Sequence, residues 1–152
     1  MPDATMIVAG HLHPDCSELG ALGVRLVGPV ADLHPLYDAA RVFVAPVQFA
    51  AGLPITILEA TAAGLPTAAT SLMARQLGWA PSVEIATGDE PMSLAAAAVT
   101  LHEESSAWGA VRAAAQRRIA REYSAEAFRS RLRELLDGRL LFQRPDGNRA
   151  LD

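Results

Sequence analysis

The chain contains no lysine: all thirteen of its Lys+Arg positions are arginine. A lysine nucleophile or Schiff base is therefore excluded, and the bias, alongside so much alanine, reflects a GC-rich genome rather than chemistry. The single cysteine, Cys16, cannot close an internal disulfide. No Cys/His spacing suits zinc, so no metal site is expected and a reducing compartment fits. Also missing are a nucleophile elbow, a P-loop and a Ser-His-Asp spacing. Gly10 is not followed by Gly-x-Gly-x-x-Gly, which leaves a nicotinamide enzyme little support. There is no internal repeat. The formal net charge of -4 argues against a protein whose main task is neutralising nucleic-acid phosphates. The opening residues MPDATMIVAGHLH have no basic stretch and only a short apolar run, so neither a signal peptide nor a membrane span is expected. A soluble, cytoplasmic protein is the expectation.

What is present is enough apolar material for a core. With 152 residues and 51% hydrophobic content, one domain is expected. Residues 5–10 (TMIVAG) form a nearly continuous apolar run ending at glycine, the pattern of a parallel strand covered on both faces. Asp15 can cap the helix that follows, with Leu19 and Leu22 at helical spacing and Gly23 closing it. Residues 24–27 (VRLV) read as a second strand, stopped by Gly28-Pro29. Asp32 can cap a short helix, LHPLYDAA, whose Leu33, Leu36, Tyr37 and Ala40 share a face. Residues 42–46 (VFVAP) read as a third strand, 67–70 as a fourth and 83–86 (VEIA) as a fifth.

From Pro91 onward the pattern is helical only. One helix spans 91–103 with Leu94, Ala97, Ala98 and Leu101 inward. A second is capped by Ser105 or Ser106 and runs through Arg121. A third starts at Ser124, with Phe128, Leu132, Leu135 and Leu136 as its apolar stripe and Gly138 as its cap. The fold class is thus α/β: a single Rossmann-like parallel sheet of about five strands flanked by helices, with a helical C-terminal tail. Residues 1–138 are expected to form the domain and 139–152 a mobile tail. Right-handed crossovers put the strand C-terminal ends, and the loops after the first three strands, on one ligand-binding edge.

The most informative stretch is 49–70, FAAGLPITILEATAAGLPTAAT. Gly52-Leu53-Pro54 opens an apolar helix from Pro54 to Ala63, and Gly64-Leu65-Pro66 closes it. Gly52 can bring backbone amides near a ligand, and the helix points its positive end to the same place. Because Pro54 has no N–H, the useful amides are those of Gly52, Leu53 and Ile55, and a phosphate is the natural occupant. The bland alternative is a helix start that merely needs a tight turn. Glu59, set among Ile55, Ile57, Leu58 and Ala60, is either on a solvated face or accepting specific hydrogen bonds, for instance from a sugar diol.

The order VGPVADLHPLYDAARVFVAPVQFAAGLPITILEATAAGLPTAAT resembles the donor-binding, C-terminal half of retaining GT-B glycosyltransferases of family 4, the glycosyl transferases group 1. The later WGAVRAAAQRRIAREYSAEAFRSRLREL resembles the helical end of the same enzymes, so the similarity covers roughly residues 6–136. The resemblance implies that the chain is half of a GT-B fold and binds a nucleotide-diphosphate sugar without a metal or other cofactor. Glu59 would accept from the ribose hydroxyls, and Ala51, Gly52, Leu53 and Pro54 would line the diphosphate. Val30, just past Gly28, would read the base through its main chain. Many relatives carry a second Glu where this chain has Ala51, and others an Arg near Gln48 and a Lys near Thr56. The family's diphosphate-clamping Arg and Lys, and its N-terminal acceptor domain, precede the strand that begins this chain. No catalytic residue is assigned, and the chain is expected to bind donor weakly and to be inactive without an acceptor domain in cis or trans.

The remaining candidates have plainer readings beside the functional one. His11 and His13 follow the first strand, where one can contact phosphate or act as an acid, but a polar loop is the favoured reading. His34 suits a helix surface, His102 a helix end, and Asp38 and Arg41 a local ion pair. Arg112, Arg117, Arg118, Arg121, Arg129, Arg131 and Arg133 make an Arg-rich pair of helices, read as a solvated face in preference to peripheral membrane contact. Trp79 and Trp108 are expected in core or interface. The alternative to a transferase half is a noncatalytic interaction module, or one half of a split enzyme.

Overall fold

The structure, a computed structural model, describes residues 4–11 and 13–137. The expected cap at Gly138 and the tail 139–152 lie outside the described residues. The chain divides into two compact units, one ending at Ala39 and the other beginning at Ala40.

The first unit contains β1 (Ile7–Ala9), a 3-10 helix (Pro14–Leu22), β2 (Arg25–Gly28) and α1 (His34–Ala39). β1 and β2 pair in parallel, with Val8 opposite Leu26 and an irregularity that brings Ala9 opposite Gly28. The helix expected from Asp15 is present in the tighter 3-10 form. Three residues per turn stack Leu19 and Leu22 along one edge, and Leu22 is exposed. Asp32 does cap α1: its Oδ1 accepts from the His34 amide at 2.9 Å. On α1, Tyr37 is buried and Leu36 half-buried, as is the preceding Leu33; Ala40, expected on the same face, lies beyond the helix and is exposed.

The second unit contains β3 (Phe43–Ala45), α2 (Ile55–Ala62), β4 (Thr67–Ala69), α3 (Ser71–Leu77) and β5 (Ala86–Thr87), followed by α4 (Pro91–Glu103), α5 (Ser105–Glu122) and α6 (Ala125–Leu136). Its three strands are parallel in the order β3-β4-β5, with Phe43 opposite Thr67 and Ala69 opposite Thr87. Side chains alternate across a strand, so the two alanines of β4 serve two cores. Ala69 packs with Ile57, Met73, Trp79 and Ala115, and Ala68 with Leu94, Leu101 and Val111. Alanine at both positions lets helices approach the central strand closely from either side. The α/β class with parallel strands therefore holds, with the five strands paired as a two-stranded and a three-stranded ladder.

Other differences from the sequence reading have identifiable causes. The fifth strand is Ala86–Thr87 rather than 83–86, because residues 80–85 form a tight turn. There the Ser82 amide donates to Ile85 O at 2.8 Å, and Glu84 Oε2 accepts from the Ala80 amide at 2.8 Å. Gly88 follows immediately, where a Cβ would lie 2.3 Å from the Leu94 nitrogen; only glycine lets α4 start so close. Helix α3 went unread in the sequence. Its first amide, on Ser71, is satisfied by Asp89 Oδ1 at 2.8 Å, a partner that local patterning does not reveal. α5 begins at Ser105 itself, with Glu104 rather than either serine at the cap. α6 starts as expected, Ser124 Oγ accepting from the Ala127 amide at 3.1 Å. Its stripe of Phe128, Leu132, Leu135 and Leu136 is nevertheless exposed, since none of its residues is buried against the rest of the described chain.

Candidate functional site

Because β3, β4 and β5 are parallel, the loops after them leave from one edge of that ladder, where open α/β sheets hold ligands. The first loop, residues 46–54, is tied down from below. Thr70 Oγ1 donates to Val47 O at 2.6 Å, and Gln76 Nε2 donates to Ala50 O at 2.9 Å. Sequence reasoning missed both contacts. Thr70 had a signal, a hydroxyl at a strand end, whereas Gln76 belongs to the helix that was not recognised.

Gly52 has φ +94°, a conformation that side chains rarely adopt, so the chain reverses there at little steric cost. Pro54 (φ -76°, ψ 78°) is near the inverse γ-turn, and the Ile55 amide folds back onto Leu53 O at 2.9 Å. This corrects one expectation: the Ile55 N–H is used internally and is not offered to a ligand. The next amide takes its place. Among the described residues, the N–H groups of Ala51, Gly52, Leu53 and Thr56 make no hydrogen bond, and no side chain caps α2. Open amides and the positive helix end converge on the same turn. At its other end α2 closes in a Schellman motif, Gly64 N–H to Thr61 O and Leu65 N–H to Ala60 O, both 2.9 Å.

α2 has two distinct faces. Ile57, Ala60 and Thr61 are buried, whereas Ile55, Thr56, Glu59, Ala62 and Ala63 are exposed. Glu59 thus stands on an open face wider than its apolar neighbours imply, one turn beyond Thr56, and its carboxylate has no hydrogen-bond or ion-pair partner among the described residues. Beside the helix start lies a cavity of about 290 Å³, floored by Ala45, Ile57 and Met73 and walled in part by Val47, Leu53 and Ile55. Gln48 and Ala51 are exposed on the loop, as is Phe49.

Gly52, Leu53, Pro54, Thr56 and Glu59 are therefore brought together in the second unit, with Ala51 and Gln48 in the adjoining loop. Gly28, Val30 and His11 belong to the first unit. There the Gly10 amide donates to Gly28 O at 2.8 Å at the C-terminal edge of β1 and β2, and His11, His13 and Val30 are exposed. Val30 makes no main-chain hydrogen bond among the described residues, which leaves its N–H and C=O available.

The arginines of the second unit are largely accounted for by its helices. Arg41 Nε donates to His102 O (2.7 Å), Arg112 Nε to Gly64 O (3.0 Å) and Arg118 Nη2 to Gly78 O (3.1 Å). Each satisfies a carbonyl at the negative end of a helix. Arg41, expected to pair with Asp38, instead joins Arg112 in stacking on Trp108, with guanidinium carbons 5.4 and 5.1 Å from the ring centre. Trp79 is buried in the core. Arg118 also pairs with Glu122 at 2.8 Å and Glu84 at 3.5 Å. Burial works against ionisation of Glu122, but hydrogen bonds from Arg121 and Arg118 outweigh it and hold the carboxyl below its ordinary value. The Ser71 amide likewise lowers Asp89. Arg117, Arg121, Arg129, Arg131 and Arg133 are exposed.

Among the described residues, no three His, Cys, Asp or Glu side chains come together to hold a metal ion. No described helix is long and apolar enough to cross a membrane. Residues 1–104 match the family model described as Glycosyl transferases group 1. No curated protein matches the chain.

Proposed function

The chain belongs to the glycosyl transferases group 1 family, and from that premise we propose that it is the donor-binding half of a retaining, family 4 enzyme of GT-B architecture. The observation that carries this reading is the turn at Gly52, where open amides, an uncapped helix start and the exposed Glu59 occupy one short stretch. The donor is a nucleotide-diphosphate sugar. Its diphosphate sits against the amides of Gly52, Leu53 and Thr56. Glu59 accepts hydrogen bonds from the ribose.

Negative charge grows on the diphosphate as the sugar departs, and the acceptor attacks from the face the diphosphate leaves. Fixed amides and a helix dipole aimed at that charge are already oriented, so they favour the transition state without reorganising. Ala51, Gln48 and Thr56 supply no charge where relatives do. Each charge-assisted contact forgone removes about 1.5–3 kcal/mol, so this half binds donor weakly and transfers little by itself. An acceptor-binding half, in the same polypeptide or another, completes the enzyme.

A second reading, a noncatalytic interaction module, draws on a different observation. Phe49 is 94% exposed, and Leu53 and Ile55 beside it are 51% and 60% exposed, an apolar rim suited to a protein surface. Calorimetric titration with nucleotides and nucleotide sugars, repeated on Glu59→Ala, separates the two. The donor reading expects weak binding that the substitution abolishes. Equal affinity in the variant would remove Glu59 from the ribose, and no binding of any nucleotide would leave the interaction module.

A further inference from the structure

The tie from Gln76 to Ala50 does more than steady the loop. A trans peptide unit is planar and points its C=O and N–H in opposite directions. The oxygen of Ala50 and the N–H of Ala51 belong to one such unit, and Gln76 Nε2 donates to that oxygen at 2.9 Å. Gln76 Oε1 is buried and has no hydrogen-bond partner among the described residues, so the side-chain amide lies on the inner side of the loop. Turning that amide over would set Oε1 against a carbonyl oxygen, which fixes the nitrogen as the atom facing Ala50. The Ala51 N–H is thereby directed away from the interior. Residue 51 is exposed and its amide makes no internal hydrogen bond.

We infer that Gln76 is a positioning residue for donor binding, an inference that rests on the donor-binding reading above. By holding the Ala50 carbonyl inward, it aims the Ala51 amide at the diphosphate. The fold itself gains little from Gln76. Water can replace its bond to a carbonyl on an exposed loop, and its buried, unpartnered Oε1 is unfavourable. An apolar side chain of the same length would serve the interior at least as well, but it would leave the 50–51 peptide free to turn, and the amide would then have to be ordered on binding. Thr70, the other tie, holds the oxygen of Val47 and so governs the peptide unit of Gln48, ahead of the turn at Gly52.

The test is amide NMR titration of the isotopically labelled full chain with uridine, guanosine, adenosine and thymidine diphosphates. With the diphosphate that the native chain binds best, Gln76→Met is expected to bind about tenfold more weakly, the low end of what one charge-assisted hydrogen bond is worth, with no fall in melting temperature. The shift that the ligand induces in the Ala51 amide should shrink, whereas that of Thr56, beyond the γ-turn, should remain. Gln76→Ala should repeat the loss at Ala51, and Thr70→Val, which loosens the loop at a different peptide unit, should weaken binding less than Gln76→Met. Unchanged affinity in Gln76→Met, an equal loss in Thr70→Val, a lowered melting temperature in Gln76→Met, or shifts lost equally at Ala51 and Thr56 overturns the inference, while binding by the native chain leaves the donor reading intact. A native chain that binds none of the diphosphates overturns both, and locates the failure in the donor reading.

Discussion

Two regions of the second unit treat their polar groups in opposite ways. Around α3, α4 and α5, cations are matched to carbonyls and carboxylates: Arg112 closes on Gly64, Arg118 on Gly78, Glu84 and Glu122, and Arg41 on His102. At the turn before α2, four amides and the Glu59 carboxylate have no internal partner among the described residues. The first arrangement satisfies groups that folding would otherwise leave bare. The second leaves groups bare at an open edge, where a ligand can satisfy them. The same chain therefore separates a region whose cations are matched internally from an edge whose amides and carboxylate are left open.

Substitutions that spare one region and injure the other test this contrast. The largest effect is expected in the scaffold core. Leu101 is 1% exposed and packs with Ala68, Leu94 and Val111. Leu101→Ala should cost about 2–5 kcal/mol, the transfer and cavity terms together, seen as a fall in melting temperature.

Arg118→Ala comes next. It removes a carbonyl contact and leaves Glu84 and Glu122 facing each other without their shared cation, a loss of about 2 kcal/mol for a partly exposed network. The sign of its pH dependence follows from Glu122. Its folded value is depressed, so its contribution is present above the ordinary 4.5 and is lost as pH falls through the folded value. Melting temperature recorded against pH should therefore drop on acidification in the native chain, and less steeply in Arg118→Ala. A parallel pair of curves would show that the pairing carries no stability.

Thr70→Val joins the two regions. The substitution keeps the shape but removes the donor to Val47 O, for about 1 kcal/mol. Its main consequence should be local. With one of its two ties gone, the 46–54 loop should be cut faster after the exposed Phe49 by a protease that prefers aromatic residues, while cleavage elsewhere is unchanged.

The scaffold and the site were legible in the sequence to different depths. Periodicity and caps located α2, α4 and α6, because Pro54, Pro91 and Ser124 act on amides within their own first turns. The same reasoning had no access to α3, whose first amide is satisfied from Asp89, or to the turn that displaces β5, held by the Ser82–Ile85 backbone bond and by Glu84 Oε2. At the candidate site, residue types singled out the stretch but not its hydrogen bonds. The sequence points to the Ile55 amide as one open to a ligand, yet the γ-turn at Pro54 diverts it and brings forward that of Thr56. For Glu59 the sequence leaves a solvated face and specific hydrogen bonds both open; the structure puts it on an exposed face, with Ile55, one turn earlier, 60% exposed. An apolar residue on an open face looks the same in sequence as one in a core, and the stripe of α6 misleads in the same way.

The smallest expected effects on stability are the most informative about the edge. Phe49 is 94% exposed and Glu59 has no internal partner, so Phe49→Ala and Glu59→Ala should each leave the melting temperature nearly unchanged, within roughly 0.5 kcal/mol. A buried phenylalanine truncated in the same way would cost about 3–5 kcal/mol, and a carboxylate used by the scaffold would behave as Glu122 does. If either substitution at the edge destabilises the free protein by more than about 1 kcal/mol, the residue serves the fold, and the division between scaffold and site fails at that position. If Glu59→Ala is silent in melting yet abolishes nucleotide binding, the carboxylate is retained for something outside the chain. That result would tie the family assignment to one atom group at the surface.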